Sequence, residues 1–197
     1  MTTGFLKAIF LIAVYAISTR AMAHIGADSA AHHGAGFADG LLHPLTGLDH
    51  LAAMLAVGFW SALTARRMWM APLAFAAMLG AGALAGMAGV ATPAAEPMIA
   101  ASLLVLGLLV GMRTPLPALA SVALVGGFAL FHGLSHGAEM AAAQPWAALL
   151  GMLASTLGLH AAGLALGLAL RNQSHWWPRA AGALLALFAV SQLAQLA

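Results

Sequence analysis

Two short stretches place ionisable side chains inside an otherwise apolar chain. LLHPLTGLDHLAAML, residues 41–55, carries His43, Asp49 and His50. FHGLSHGAEM, residues 131–140, carries His132, His136 and Glu139. The four- and three-residue spacings of the second stretch put its three groups on one face of a helix. Imidazole with carboxylate, in a chain that has no cysteine, suits borderline divalent cations such as Ni²⁺, Co²⁺ or Zn²⁺. Nine histidines stand against five acidic residues, a ratio that points to imidazole chemistry.

The elements that must carry these groups follow from composition. The 197 residues are 63% hydrophobic and 6% charged, where a soluble domain has about a quarter charged. Runs of about 20 apolar residues cross a bilayer as helices. Six such runs are expected, at about residues 44–65, 69–89, 95–112, 116–140, 145–170 and 177–196. The breaks between them hold most of the Pro and charged residues, as loops should. The fold expected is therefore an all-α membrane protein, a polytopic bundle of six transmembrane helices. The formal charge of +2 gives no basis for nucleic-acid binding. No P-loop motif is present, so transport by this chain would not be driven by its own nucleotide hydrolysis. Ionisable groups inside such spans are functional by default, and they pair with each other or with a bound ion.

Residues 1–23 read as a cleaved signal peptide. Lys7 precedes an apolar stretch, and Ala21-Met22-Ala23 is a small-x-small cleavage site. The mature chain would then begin at His24, whose α-amine and imidazole together form a bidentate chelate. Residues 24–43 form a polar, Gly-rich exported lead-in with His32 and His33, and residues 44–197 the six-helix transmembrane domain. A signal peptide puts the mature N-terminus outside. Arg66, Arg67, Arg113, Arg171 and Arg179 then all fall on the inner side, in agreement with the positive-inside rule for an inner (cytoplasmic) membrane.

Pro44 suits the first turn of a helix, which places His43 just before the first span and His50 two turns in, on the same side. At about 1.5 Å per residue, Asp49 and His50 lie roughly 10 Å below the start of span one. His132 lies about 12 Å below the outer end of span four. Two motifs from distant parts of the chain thus reach one depth on one side of the membrane. His160 in span five is deeper, about 22 Å in; alone, it is as readily an interhelical hydrogen-bonding residue as an accessory ligand. His24, His32 and His33 are candidate accessory ligands or ordinary solvated residues. His175 beside Trp176 reads as an interfacial residue, and Glu96 as a carboxylate favoured by a helix N-terminus. The GxxxG pairs Gly82/Gly86, Gly107/Gly111, Gly133/Gly137 and Gly163/Gly167 read as close helix packing.

At His43-Pro44-Leu45-Thr46-Gly47-Leu48-Asp49-His50 the chain resembles the HupE/UreJ family of nickel permeases, whose signature is H-P-x-x-G-x-D-H. Phe131 to Glu139 resembles the family's second His-rich stretch. The resemblance implies secondary transport of Ni²⁺, or Co²⁺, to supply nickel enzymes such as hydrogenase or urease. It implies His43, Asp49, His50, His132, His136 and Glu139 as transport residues. The metal is then cargo, with no permanently bound cofactor, and the partners are the ion and the lipid bilayer.

Other chemistries fit parts of the sequence. Gly133-Leu134-Ser135-His136-Gly137 matches G-x-S-x-G, which with His160 as base would make an intramembrane serine protease. Its two groups differ in depth by about 15 Å. An intramembrane zinc hydrolase would use the same His and Asp ligands to activate water. A metal sensor or store is a third class.

Overall fold

The computed structural model describes residues 36–139 and 144–196. The expected signal peptide, His24, His32 and His33 lie outside the described residues, as does the side chain of Glu139. The described residues belong to one unit of the chain, Ala35–Ala197. Among them are seven helices and no strand: α1 Phe37–Thr46, α2 Leu48–Thr64, α3 Met70–Met87, α4 Ala95–Met112, α5 Ala118–Glu139, α6 Pro145–Leu170 and α7 Trp176–Gln195.

Four of these, α3 to α6, are long and apolar enough to cross a membrane, so the chain is a multi-pass membrane protein. The helix α2 is apolar but has 17 residues, about 25 Å at 1.5 Å per residue. The helix α7 has 20 residues and is not among the four. The expected boundaries of the later spans agree with the helices to within two residues or so; the first does not.

Residues 37–46 are not an irregular lead-in. They form α1, and Pro44 sits inside it rather than opening the first span. The break falls three residues later. Gly47 takes an extended conformation (φ −84°, ψ 113°), ending α1 and serving as N-cap of α2. Asp39 fastens the other end of α1, where its Oδ2 accepts the Gly36 N–H at 3.1 Å and so satisfies one orphan donor of the first turn. His43 and His50 therefore stand on two helices that meet at Gly47, rather than two turns apart on one.

The helices pack chiefly in pairs: α3 on α5, α2 on α6, α1 on α6, and α4 on α7. Helix α2 also touches α1, α3 and α4. Its buried Met54, Val57 and Trp60, with Phe75, Leu79, Leu103 and Met152, make the core. Helices α3 and α5 cross at very close range. A Cβ added at Gly133 or Gly137 would collide with the carbonyl oxygens of Leu79 and Ala83, and one at Gly82 or Gly86 with those of Leu130 and Leu134. The two GxxxG stripes face each other, so the backbones touch directly.

One end of the bundle gathers the arginines of the described residues. The indole Nε1 of Trp60, near the end of α2, donates to the Thr114 carbonyl at 2.9 Å. Arg113 Nη2 donates to the Arg171 carbonyl at 3.0 Å. The loops after α2, α4 and α6 thus share an end. Arg113 also closes α4 in the left-handed region (φ 50°), an uncommon conformation for a residue with a side chain.

Candidate functional site

Toward the opposite end stand four of the described histidines. His43 comes from α1, Asp49 and His50 from the first turn of α2, and His132 and His136 from the last turns of α5. His-Gly recurs at residues 132–133 and 136–137. The two glycines seat α5 against α3, and the two imidazoles, one position before them, turn toward α1, α2 and α4.

The rings form a continuous series from the rim inward. His43 Nε2 and His136 Nδ1 are hydrogen-bonded at 2.8 Å. The ring centroids of His136 and His50 are 4.2 Å apart, those of His50 and His132 5.0 Å, and those of His43 and His50 6.4 Å. Beyond His132 stands the Phe75 ring of α3, 5.6 Å away, and beyond Phe75 the ring of His160 at 5.0 Å. His43 is half-buried; His50, His132, His136 and His160 are buried. The structure thus brings together His43, Asp49, His50, His132 and His136, with His160 one ring further in. Glu139 is the last residue of α5.

Three of these rings have one nitrogen fixed by an acceptor and the other bare. Asp49 Oδ1 lies 2.9 Å from His50 Nδ1 and also accepts the His50 backbone N–H at 2.9 Å. A carboxylate accepts, so Nδ1 carries a proton, and in the neutral ring Nε2 does not. His160 Nδ1 is 2.8 Å from the Met54 carbonyl oxygen, which can only accept, so its Nε2 is bare as well. His132 Nε2 lies 3.0 Å from Ser102 Oγ. The remaining atoms, His50 Nε2, His132 Nδ1 and His160 Nε2, are buried with no hydrogen-bond partner. An unsatisfied buried polar atom costs about 1–3 kcal/mol. Three in one line are an arrangement that folding alone does not favour, and each is a lone pair suited to a cation.

Asp49 has a local role too. Its carboxylate occupies the first turn of α2, where it complements the helix dipole. That placement offsets the positive end of α2 at the point where the imidazoles converge. Among the described residues, no three His, Asp or Glu side chains already close on a point that an ion could fill. The outer rings bind one another instead.

Comparison with known proteins agrees with the motifs. The family described as HupE / UreJ protein matches residues 12–192. The chain belongs to the HupE/UreJ family. It is 40% identical over 159 residues to "Protein HupE" of Rhizobium leguminosarum bv. viciae, covering 79% of this chain and 80% of that protein. No solved structure matches the chain.

For this HupE/UreJ protein the protease reading loses its geometry. Ser135 lines a groove between the start of α4 and the end of α5, with Thr92, Glu96 and Ala138. His160 Nδ1 is bonded to Met54, and its Nε2 has no partner, so no Ser135–His160 hydrogen bond exists. Glu96 is exposed in the first turn of α4, and His175 is exposed as the residue before α7.

Sequence reading missed Ser102, Phe75 and the Met54 carbonyl. Ser102 had a signal: apart from Glu96 at its start, it is the only polar residue in α4. Phe75 had none, because one aromatic in an apolar helix is ordinary core. A backbone acceptor has no sequence signature at all.

Proposed function

We propose that this protein is a secondary transporter that takes up Ni²⁺, or Co²⁺, through the histidine series, and so supplies a nickel enzyme such as hydrogenase or urease. The observation that carries this reading is the series of imidazoles from the rim of the bundle to its interior, in which His50, His132 and His160 each keep a buried nitrogen with no hydrogen-bond partner. In the reading, the chain crosses an inner membrane six times, with α1 and α2 forming the first crossing and α7 the sixth. Residues 1–23 are removed as a signal peptide, and the arginine end faces the cytoplasm.

The cation is substrate. It exchanges water for ring nitrogens at His43 and His136, displacing the hydrogen bond between them. His50 and His132 then receive it, with Asp49 holding His50 in place and supplying negative charge. Glu139 stands at the mouth, and His24, His32 and His33 collect metal outside. His160 is the next station inward. Conduction needs sites strong enough to draw the ion from water and weak enough to release it. Imidazoles in series, each with few other ligands, meet both needs.

The test is reconstitution. Purified protein in liposomes should move Ni²⁺ inward, with Co²⁺ competing. His50→Ala and Asp49→Ala should abolish this while the protein still inserts. Uptake that persists in both variants removes the site. Hydrolysis of a lipid or peptide by the Zn²⁺-loaded protein, without metal movement, would instead establish the zinc-hydrolase reading.

A further inference from the structure

We propose that Ser102 is a positioning residue of the metal path. It fixes the tautomer of His132 so that Nδ1, and not Nε2, receives the ion. The proposal rests on the transport reading and adds to it the identity of the ligating atom.

The argument is one of proton counting. Ser102 Oγ is 2.6 Å from the Ile99 carbonyl oxygen, one helical turn back on α4. A carbonyl accepts and cannot donate, so the single hydroxyl proton of Ser102 goes there. Oγ then has only lone pairs to offer His132 Nε2, at 3.0 Å. The proton in that second bond belongs to the ring. His132 is therefore the Nε2–H tautomer, and its Nδ1 is a bare lone pair, buried and unpartnered. Ser102 and His132 are both buried, at 1% and 0% exposure, so no solvent substitutes for either bond.

Asp49 does the same for His50 from α2, and the Met54 carbonyl for His160. These rings thus share one device, supplied by a carboxylate, a hydroxyl and a backbone carbonyl. Such outer partners orient a ligating ring and raise its basicity, and their loss typically costs 10–100-fold in metal affinity. A hydroxyl carries no charge, so its removal tests the positioning of the ring without changing the charge of the path. Ser102 also borders a small apolar space lined by Val57, Phe75 and Val105, which gives room for a methyl group.

The experiment uses the full-length protein labelled with ¹⁵N-histidine, together with Ni²⁺ uptake into liposomes. Imidazole ¹⁵N shifts report which ring nitrogen carries the proton. In the natural protein, His132 should show its proton on Nε2. In Ser102→Ala the proton should distribute over both nitrogens, and the KM for Ni²⁺ should rise about 10–100-fold. Ser102→Thr, which can keep the bond to the carbonyl a turn back, should restore both readouts. A His132 proton on Nδ1 in the natural protein overturns the proposal without any variant. So does Ser102→Ala with uptake within about twofold of normal and the tautomer unchanged. His132→Ala separates the two levels. If it still transports, the role of His132 in the path is wrong; if it is inactive while Ser102→Ala is normal, only the role of Ser102 is wrong.

Discussion

Asp49 and His50 are neighbours in sequence and form one unit in space: a single carboxylate oxygen, Oδ1, accepts both the backbone N–H and the ring Nδ1–H of His50, each at 2.9 Å. One atom therefore caps the first turn of α2 and orients an imidazole. The unit is possible because Gly47 restarts the helix directly before it, leaving the backbone N–H of His50 among the orphan donors of a first turn. In an uninterrupted helix from residue 44 that N–H would be bonded to a carbonyl, and Asp49 would have one donor fewer to hold it.

Replacement of Asp49 separates its two tasks. Asp49→Asn keeps an oxygen that can accept from the ring but loses the charge, and Asp49→Ala loses both. Ni²⁺ uptake should fall about 10–100-fold in the first, the usual cost of changing a ligand's outer partner, and below detection in the second. Kinetics of uptake in liposomes, normalised to inserted protein, check this. Uptake at the natural level in both variants would leave Asp49 without a role in the path.

Protons compete with metal for the same lone pairs. A protonated imidazole cannot ligate, so uptake should be fully present at neutral pH and decline as the outer pH is lowered. The His43–His136 hydrogen bond requires one of its two nitrogens to be unprotonated, so it is lost when both rings are charged. A pH series of initial uptake rates at constant free Ni²⁺ measures the effect. A profile that stays flat down to the pH at which the protein unfolds would argue against imidazole ligation.

Close packing of α3 on α5 sets where His132 and His136 stand, and it can be broken by one carbon branch. Gly133→Val would drive a side chain into the Leu79 carbonyl. Overpacking of this kind costs about 1–3 kcal/mol or more, so the detergent-solubilised protein should melt several degrees lower. Gly127 on the same helix has nothing within 4 Å of an added Cβ, and Gly127→Ala should leave the melting temperature unchanged or slightly raised. A melting temperature unaffected by Gly133→Val would mean that this crossing is looser than described.

Much of this arrangement could be read from residue order. The apolar runs gave helices at nearly the right limits because length and composition decide what crosses a membrane. The pairing of the two His motifs followed from matching depths, and the rings of His50 and His132 indeed meet. The error at Pro44 had a physical cause. Proline is favoured in a first helical turn, but it also occurs within a short helix, and the signal for the break was Gly47, a residue with too many uses to decide alone. The facing of Gly82/Gly86 with Gly133/Gly137 was open in the sequence, since four GxxxG pairs allow several partners. Tautomers were out of reach, because they depend on acceptors such as Ser102 and the Met54 carbonyl, brought in by other helices.

The orientation of the chain rests on charge and can be tested through its lack of cysteine. Arg66, Arg67, Arg113, Arg171 and Arg179 follow or begin helices at one end of the bundle, the end tied by the Trp60–Thr114 and Arg113–Arg171 hydrogen bonds. Such clustering favours the cytoplasmic side, so the proposed uptake expects the histidine end to face outward. Single cysteines at two exposed positions then report opposite sides: Ala94→Cys just before α4, at the histidine end, and Gln173→Cys between α6 and α7, at the arginine end. A membrane-impermeant maleimide added to intact spheroplasts should label the first and spare the second until the membrane is opened. The reverse pattern would put the imidazole rim in the cytoplasm and turn the proposed uptake into export. Labelling of both in intact spheroplasts would mean that the two loops share a side, and the six-span arrangement would fail with it.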